Sequence, residues 1–68
     1  MQNVRIRSEA KANGVRLWEV AERVGITDGN FSRRLRRELP AEEQARIVGI
    51  IHEIAAEKEE RHNENQGH

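Results

Sequence analysis

The stretch from Leu17 to Leu35 constrains this chain more than any other part of it. Leu17, Val20, Ala21 and Val24 recur at helical spacing, which marks an amphipathic helix from about Arg16 to Val24 with those four side chains on its buried stripe. Gly25 ends the stripe, because the residue past a helix end takes a positive φ that glycine adopts without strain. Ile26 turns back toward the core. Thr27 can cap a third helix by accepting a free backbone N–H of its first turn, and Asp28 places negative charge at the positive end of the helix dipole. Phe31, Leu35 and Leu39 then repeat every four residues as the inward face of that helix, which Pro40 stops.

The flanks are helical too. Ile6 and Ala10 face inward from a first helix over about Val4 to Asn13, with Gly14 past its end. Ala41-Glu42-Glu43 is the acidic first turn of a fourth helix that reaches about Arg61. Its apolar residues, Ile47, Val48, Ile50, Ile51, Ile54 and Ala55, form a stripe too wide for one neighbour in so small a domain. Ile47, Ile51 and Ile54 are expected to face the core. Beyond Glu57 apolar residues vanish, and Asn63 to His68 is polar enough for disorder. No segment alternates apolar and polar residues long enough to make a strand, so the class is all-α. The expected organisation is a compact domain of four helices over residues 1–61, with a disordered polar tail at 62–68.

A chain of 68 residues buries only about 60% of the surface its unfolded form exposes, so the core is thin. With no cysteine, helix packing must supply the stability. No run of about 18 apolar residues could span a membrane. The opening Met-Gln-Asn-Val-Arg-Ile-Arg has no apolar stretch of signal-peptide length behind its charges, and the expected location is cytoplasmic.

Net charge is zero, but its distribution is not even. Residues 1–39 hold nine Lys/Arg against five acids, a net of +4, and residues 40–68 hold three against seven, a net of −4. Local potential rather than total charge attracts a polyanion. On a helical wheel of the third helix, Arg33 and Arg37 fall nearly opposite Phe31 and Leu35. Gly29, Asn30 and Arg36 flank them, and Ser32 and Arg34 sit at the margins. The arginine fork suits both phosphate oxygens and the O6/N7 edge of guanine. Gly29, with no side chain, lets the start of the helix approach a base edge or phosphate closely. A basic run alone is commonly a solvated face. This one sits on the second helix of a helix-turn-helix pattern, which points to double-stranded DNA.

The same segment resembles the helix-turn-helix of lambda repressor-like, or XRE-type, bacterial and phage transcription regulators. The resemblance covers Leu17 to Leu35 through Val20, Ala21, Val24, Gly25, Ile26 and Phe31, and the surrounding Gly-Val-Arg-Leu-Trp-Glu-Val-Ala-Glu and Asn-Phe-Ser-Arg-Arg-Leu-Arg look like small phage or mobile-element members. It implies a lambda repressor-like fold in which Thr27, Asp28, Gly29, Ser32 and Arg33 occupy DNA-facing positions. It departs at Arg34, where the family has a buried aliphatic that Leu35 replaces one step later. It departs again in the short connection after the third helix, with the family's fifth helix left open. The DNA-facing register is open by one residue as a result.

The expected activity is sequence-specific DNA binding by a small repressor or Cro-like regulator, its third helix in the major groove. Arg33 leads as base reader and Asp28 is a candidate acceptor for cytosine N4. Arg36 and Arg37 grip phosphates, and Arg16 contacts the backbone near the N-terminus of the second helix. Because one recognition helix reads few base pairs, a homodimer is expected, joined through the fourth helix with Ile50 and Ile54 as its interface. Two alternatives stand beside this reading. One is a protein-interaction module of antitoxin or anti-repressor type working through the fourth helix, and the other is a nonspecific nucleic-acid binder. Enzyme chemistry, cofactors and small-molecule ligands have no support: His52-Glu53-Ile54-Ala55-Ala56 has Ala56 where a zinc-protease motif needs its second histidine, and His62 and His68 lack ligand spacing. Trp18, one step off the buried stripe, reads as a half-buried packing residue or an interface contact through its indole N–H.

Overall fold

The computed structural model describes the backbone of residues 2–66 and the side chains of residues 2–60. Four helices follow one another, α1 (Val4–Ala12), α2 (Leu17–Val24), α3 (Asp28–Arg34) and α4 (Ala41–Gln66), with no strand among the described residues. The long α4 lies against α1 and α2, and α3 packs on α2.

Both early helix ends are built alike. The N–H of Val15 donates to the carbonyl of Ala10 (2.9 Å) and that of Gly14 to Lys11 (3.2 Å). The N–H of Ile26 donates to Ala21 (3.0 Å) and that of Gly25 to Glu22 (3.2 Å). Bonds of this kind close a Schellman ending, which needs a left-handed residue at the bend. Gly14 (φ 65°) and Gly25 (φ 92°) supply it. In each ending the next residue is apolar and folds back, Val15 into the core and Ile26 against it.

The core joins Ile6 and Ala10 of α1, Val15 of the turn that follows, Val20 and Ala21 of α2, Phe31 and Leu35, and Ile47, Ile51 and Ile54 of α4. The three α4 isoleucines therefore face inward as their spacing predicts. Ile54 is only 5% exposed and belongs to the core, whereas Ile50 is partly buried against the same cluster. Val48 is buried as well.

Three features differ from the sequence expectation. Val24 is 41% exposed rather than buried, because the chain reverses at Gly25 and Ile26 covers the core in its place. Helix α3 stops at Arg34, well before Pro40, so Leu39 is partly buried from the following loop and not from the helix. Helix α4 continues to Gln66 rather than ending near Arg61. The side chains of residues 61–68 lie outside the described residues, and with them the expectation of a disordered tail at 62–68.

Candidate nucleic-acid interface

Helix α3 begins as its sequence requires. Thr27 is extended at the cap position, and its Oγ1 accepts the N–H of Asn30 at 3.1 Å, with Asp28 in the first turn. Thr27, Asp28, Gly29, Asn30, Ser32 and Arg33 are all exposed, and Phe31 alone of this helix turns into the core. A Cβ added at Gly29 would meet nothing within 4 Å, so open space lies over the start of the helix.

The arginine run divides into two kinds. Arg34 is paired within the chain, its Nη2 lying 2.6 Å from Oε1 of Glu43 on the first turn of α4. Arg33, Arg36 and Arg37 are exposed and have no ion pair among the described residues. Arg36 and Arg37 are not on α3, which corrects their place on the helical wheel. They follow it in a turn where their N–H groups donate to the carbonyls of Arg33 (3.2 Å) and Arg34 (3.3 Å).

That turn is held by a residue that the sequence reading passed over. Asn3 is fully buried, with φ 58° and ψ 42°. Its Nδ2 donates to the carbonyls of Leu35 (2.9 Å) and Arg37 (2.8 Å), and its Oδ1 accepts the N–H of Leu39 (2.8 Å). Its own N–H donates to Oε1 of Glu38 (2.7 Å). Glu38 in turn accepts from the amide of Gln44 on α4 (2.9 Å), which also donates to the carbonyl of Leu39 (2.7 Å). The first of these contacts gives a partner to the carbonyl at the cap of α3, and the others hold the turn that follows it. The one available signal was an asparagine before a helical segment, read there only as part of the amino terminus.

Arg16 is exposed at the cap position of α2, about 12 Å from the Gly25 turn at the other end of that helix. Its N–H donates to the Glu19 carboxylate (2.7 Å), which also receives Lys58 Nζ from α4 (2.7 Å). Burial disfavours the charged form of Glu19, but the Lys58 hydrogen bond and the Arg16 N–H outweigh it and hold the pKa below the ordinary 4.5. The second amine contact of Lys58, to the carbonyl of Gly14 (3.0 Å), ties α4 to the turn between α1 and α2. Nearby, Arg23 pairs with Glu57 and, at 3.8 Å, with Glu53, and Glu57 raises the already high pKa of its guanidinium.

His52 lies 2.7 Å from Glu9, linking α4 to α1. No group of three or more potential metal ligands comes together among the described residues. No helix of the described residues is long and apolar enough to cross a membrane. Trp18 is 51% exposed, and so half-buried, beside an open cleft of about 410 Å³ that Glu22, Arg23 and Ile54 also line. No protein-family model, curated protein or solved structure matches the chain.

Proposed function

We propose that this chain is a sequence-specific DNA-binding regulator of transcription, a small repressor of lambda repressor-like fold that lays α3 in the major groove of duplex DNA. The observation that carries the reading is the set of exposed arginines, Arg33, Arg36 and Arg37, with no ion pair among the described residues, on and just after a capped helix joined to α2 by a three-residue glycine turn. Acids of α4 pair Arg23 and Arg34, and Glu19 of α2 pairs Lys58, but no acid among the described residues pairs these three. In this reading Arg33 reads guanine, Asp28 accepts from cytosine N4, and Thr27, Asn30 and Ser32 face the same groove. Arg16, Arg36 and Arg37 meet phosphates, which position the protein without specifying sequence.

Selection of bound duplexes from a random pool, followed by binding at several salt concentrations, tests this. A recurrent site is expected, with log K falling against log salt by about 0.9 for each phosphate neutralised. Equal affinity for all duplexes would leave only nonspecific binding, and no binding at all would return the arginine face to a protein partner. A second copy, in solution or on DNA, would double the site to half-sites about 34 Å apart. Since Ile54 belongs to the core, that contact would have to use the exposed edge of α4 around Ile50, or Trp18 and Val24 on α2. Sedimentation of free protein and of its complex decides: one protomer per duplex, with no inverted repeat in the selected sites, removes the dimer.

A further inference from the structure

We infer that Asn3 is a positioning residue for polyanion binding, holding the backbone of Arg36 and Arg37 in place so that both guanidinium groups meet the anion without first being ordered. This rests on the function proposed above. The geometry is specific. Asn3 Nδ2 bonds the carbonyl just before Arg36 and the carbonyl of Arg37 itself, at 2.9 and 2.8 Å, so both arginine Cα atoms lie between anchored peptide planes. Its Oδ1 fixes Leu39 two residues later, and its N–H engages Glu38. All of the side chain's ordinary hydrogen-bonding capacity is directed at residues 35–39.

A role confined to starting α1 does not account for this arrangement. Asparagine before a helix ordinarily turns its oxygen onto that helix's own free N–H groups. Asn3 stands at the cap of α1 and makes no such bond. It also adopts a left-handed conformation, which asparagine tolerates better than most residues but not without cost. Both departures aim the carboxamide across the molecule at the loop. The two anchored carbonyls, of Leu35 and Arg37, are only two positions apart, so Arg36 and Arg37 gain a rigid base while their side chains remain exposed. Immobilising a long side chain on binding costs affinity, and a backbone ordered in advance removes part of that cost.

The test is a double-mutant cycle on duplex affinity, with each variant corrected for its folded fraction by circular dichroism. Asn3→Ala is expected to weaken binding by about two- to tenfold with the salt slope unchanged, because ordering and not charge is lost. Arg36→Ala combined with Arg37→Ala is expected to lower the slope by about two units. On that double background Asn3→Ala should cost nothing further, since its effect passes through the two arginines. Asn3→Asp keeps the acceptor for Leu39 and loses both donors, and Asn3→Gly keeps the backbone conformation alone. These two serve if the alanine variant does not fold, and each should show the same dependence on Arg36 and Arg37. Amide exchange at Leu39 should accelerate in Asn3→Ala and Asn3→Gly, which remove its acceptor, and not in Asn3→Asp, which keeps it. An equal loss from Asn3 substitution in both backgrounds, or full affinity despite fast exchange at Leu39, overturns the inference while DNA binding stands. A parent protein that binds no duplex overturns the proposed function and this inference with it.

Discussion

The flank where α4 lies on α1 and α2 and the side formed by α3 with its following turn use arginine in opposite ways. On the flank, Arg23 and Lys58 meet Glu57 and Glu19, and the charges close on one another. On α3 and the turn after it, Arg33, Arg36 and Arg37 face solvent with no ion pair among the described residues, whereas Arg34, turned toward α4, finds an acid in Glu43. The buried support differs in the same sense. The flank rests on Ile47, Ile51 and Ile54, whereas the turn after α3 rests on the polar contacts of Asn3, Glu38 and Gln44. Charge count alone therefore says little about a surface. Acids of α4 pair Arg23 and Arg34 and, among the described residues, pass over Arg33, Arg36 and Arg37, which leaves those three able to serve a partner.

The largest expected effect joins the two regions. Ile51 has no exposed surface, so Ile51→Ala should destabilise the fold by about 2–5 kcal/mol through lost transfer energy and a cavity. In so small a domain that threatens folding as a whole, and thermal unfolding followed by circular dichroism should show the midpoint fall sharply. A melt like the parent's would mean that the two regions do not share one core.

Separation of the regions is the next test. Under the proposed function, Arg33→Ala should cost about 1–3 kcal/mol in specific binding and relax preference at one base position. Arg37→Ala should weaken binding to all sequences alike and reduce the salt slope by about one unit. Neither should move the unfolding midpoint, since neither side chain has an ion pair among the described residues. Arg23→Ala should do the reverse, leaving DNA affinity unchanged. Loss of affinity in Arg23→Ala equal to that in Arg37→Ala would erase the distinction.

Gly25 should then give an effect on stability alone. With φ 92° and nothing within 4 Å of an added Cβ, Gly25→Val meets backbone strain without a clash, and a loss of about 1 kcal/mol or more is expected. Chemical denaturation measures it. An unchanged midpoint would show that the turn can rebuild itself without a left-handed residue.

The smallest effect belongs to the closed flank. The Glu19 carboxyl has a folded pKa below its ordinary 4.5, so its contribution to stability is present above that pH and is lost as the pH falls through the lowered folded value. A partly exposed ion pair limits that contribution to about 1 kcal/mol or less. Stability measured from pH 6 down to pH 2 should therefore fall less steeply in Glu19→Gln than in the parent over the acid end. Parallel curves would show that Lys58 and the Arg16 N–H do not stabilise the charged form.

Most of the fold was legible because its signals are local. The stripe Leu17, Val20, Ala21, the glycines at positions 14 and 25, and the cap at Thr27 each act through residues within one or two turns, and each lies where its spacing predicts. The exposed set from Thr27 to Arg33 was legible for the same reason. Val24 was misplaced because the stripe runs one residue past the point where the chain reverses. Trp18 could not be decided by periodicity, since its step off the stripe allows either burial or exposure.

Helix α3 marks the boundary between what the chain encodes locally and what its tertiary structure decides. From residue types and spacing alone came four helical segments, the glycine endings, the core isoleucines of α4 and the basic character of residues 33–37. The four-residue repeat Phe31, Leu35, Leu39 is equally compatible with a helix that runs on to Pro40. It ends at Arg34, and Asn3, more than thirty residues earlier, takes the carbonyl of Leu35 and the N–H of Leu39, two groups that a continuing helix would bond to each other. Which arginine is paired and which stays open was settled the same way, by the approach of Glu43 to Arg34 and of no acid to Arg33, Arg36 or Arg37 among the described residues. Periodicity reports only which side of an element is apolar. Long-range hydrogen bonds and ion pairs depend on which elements meet, and that follows only once the apolar faces have packed.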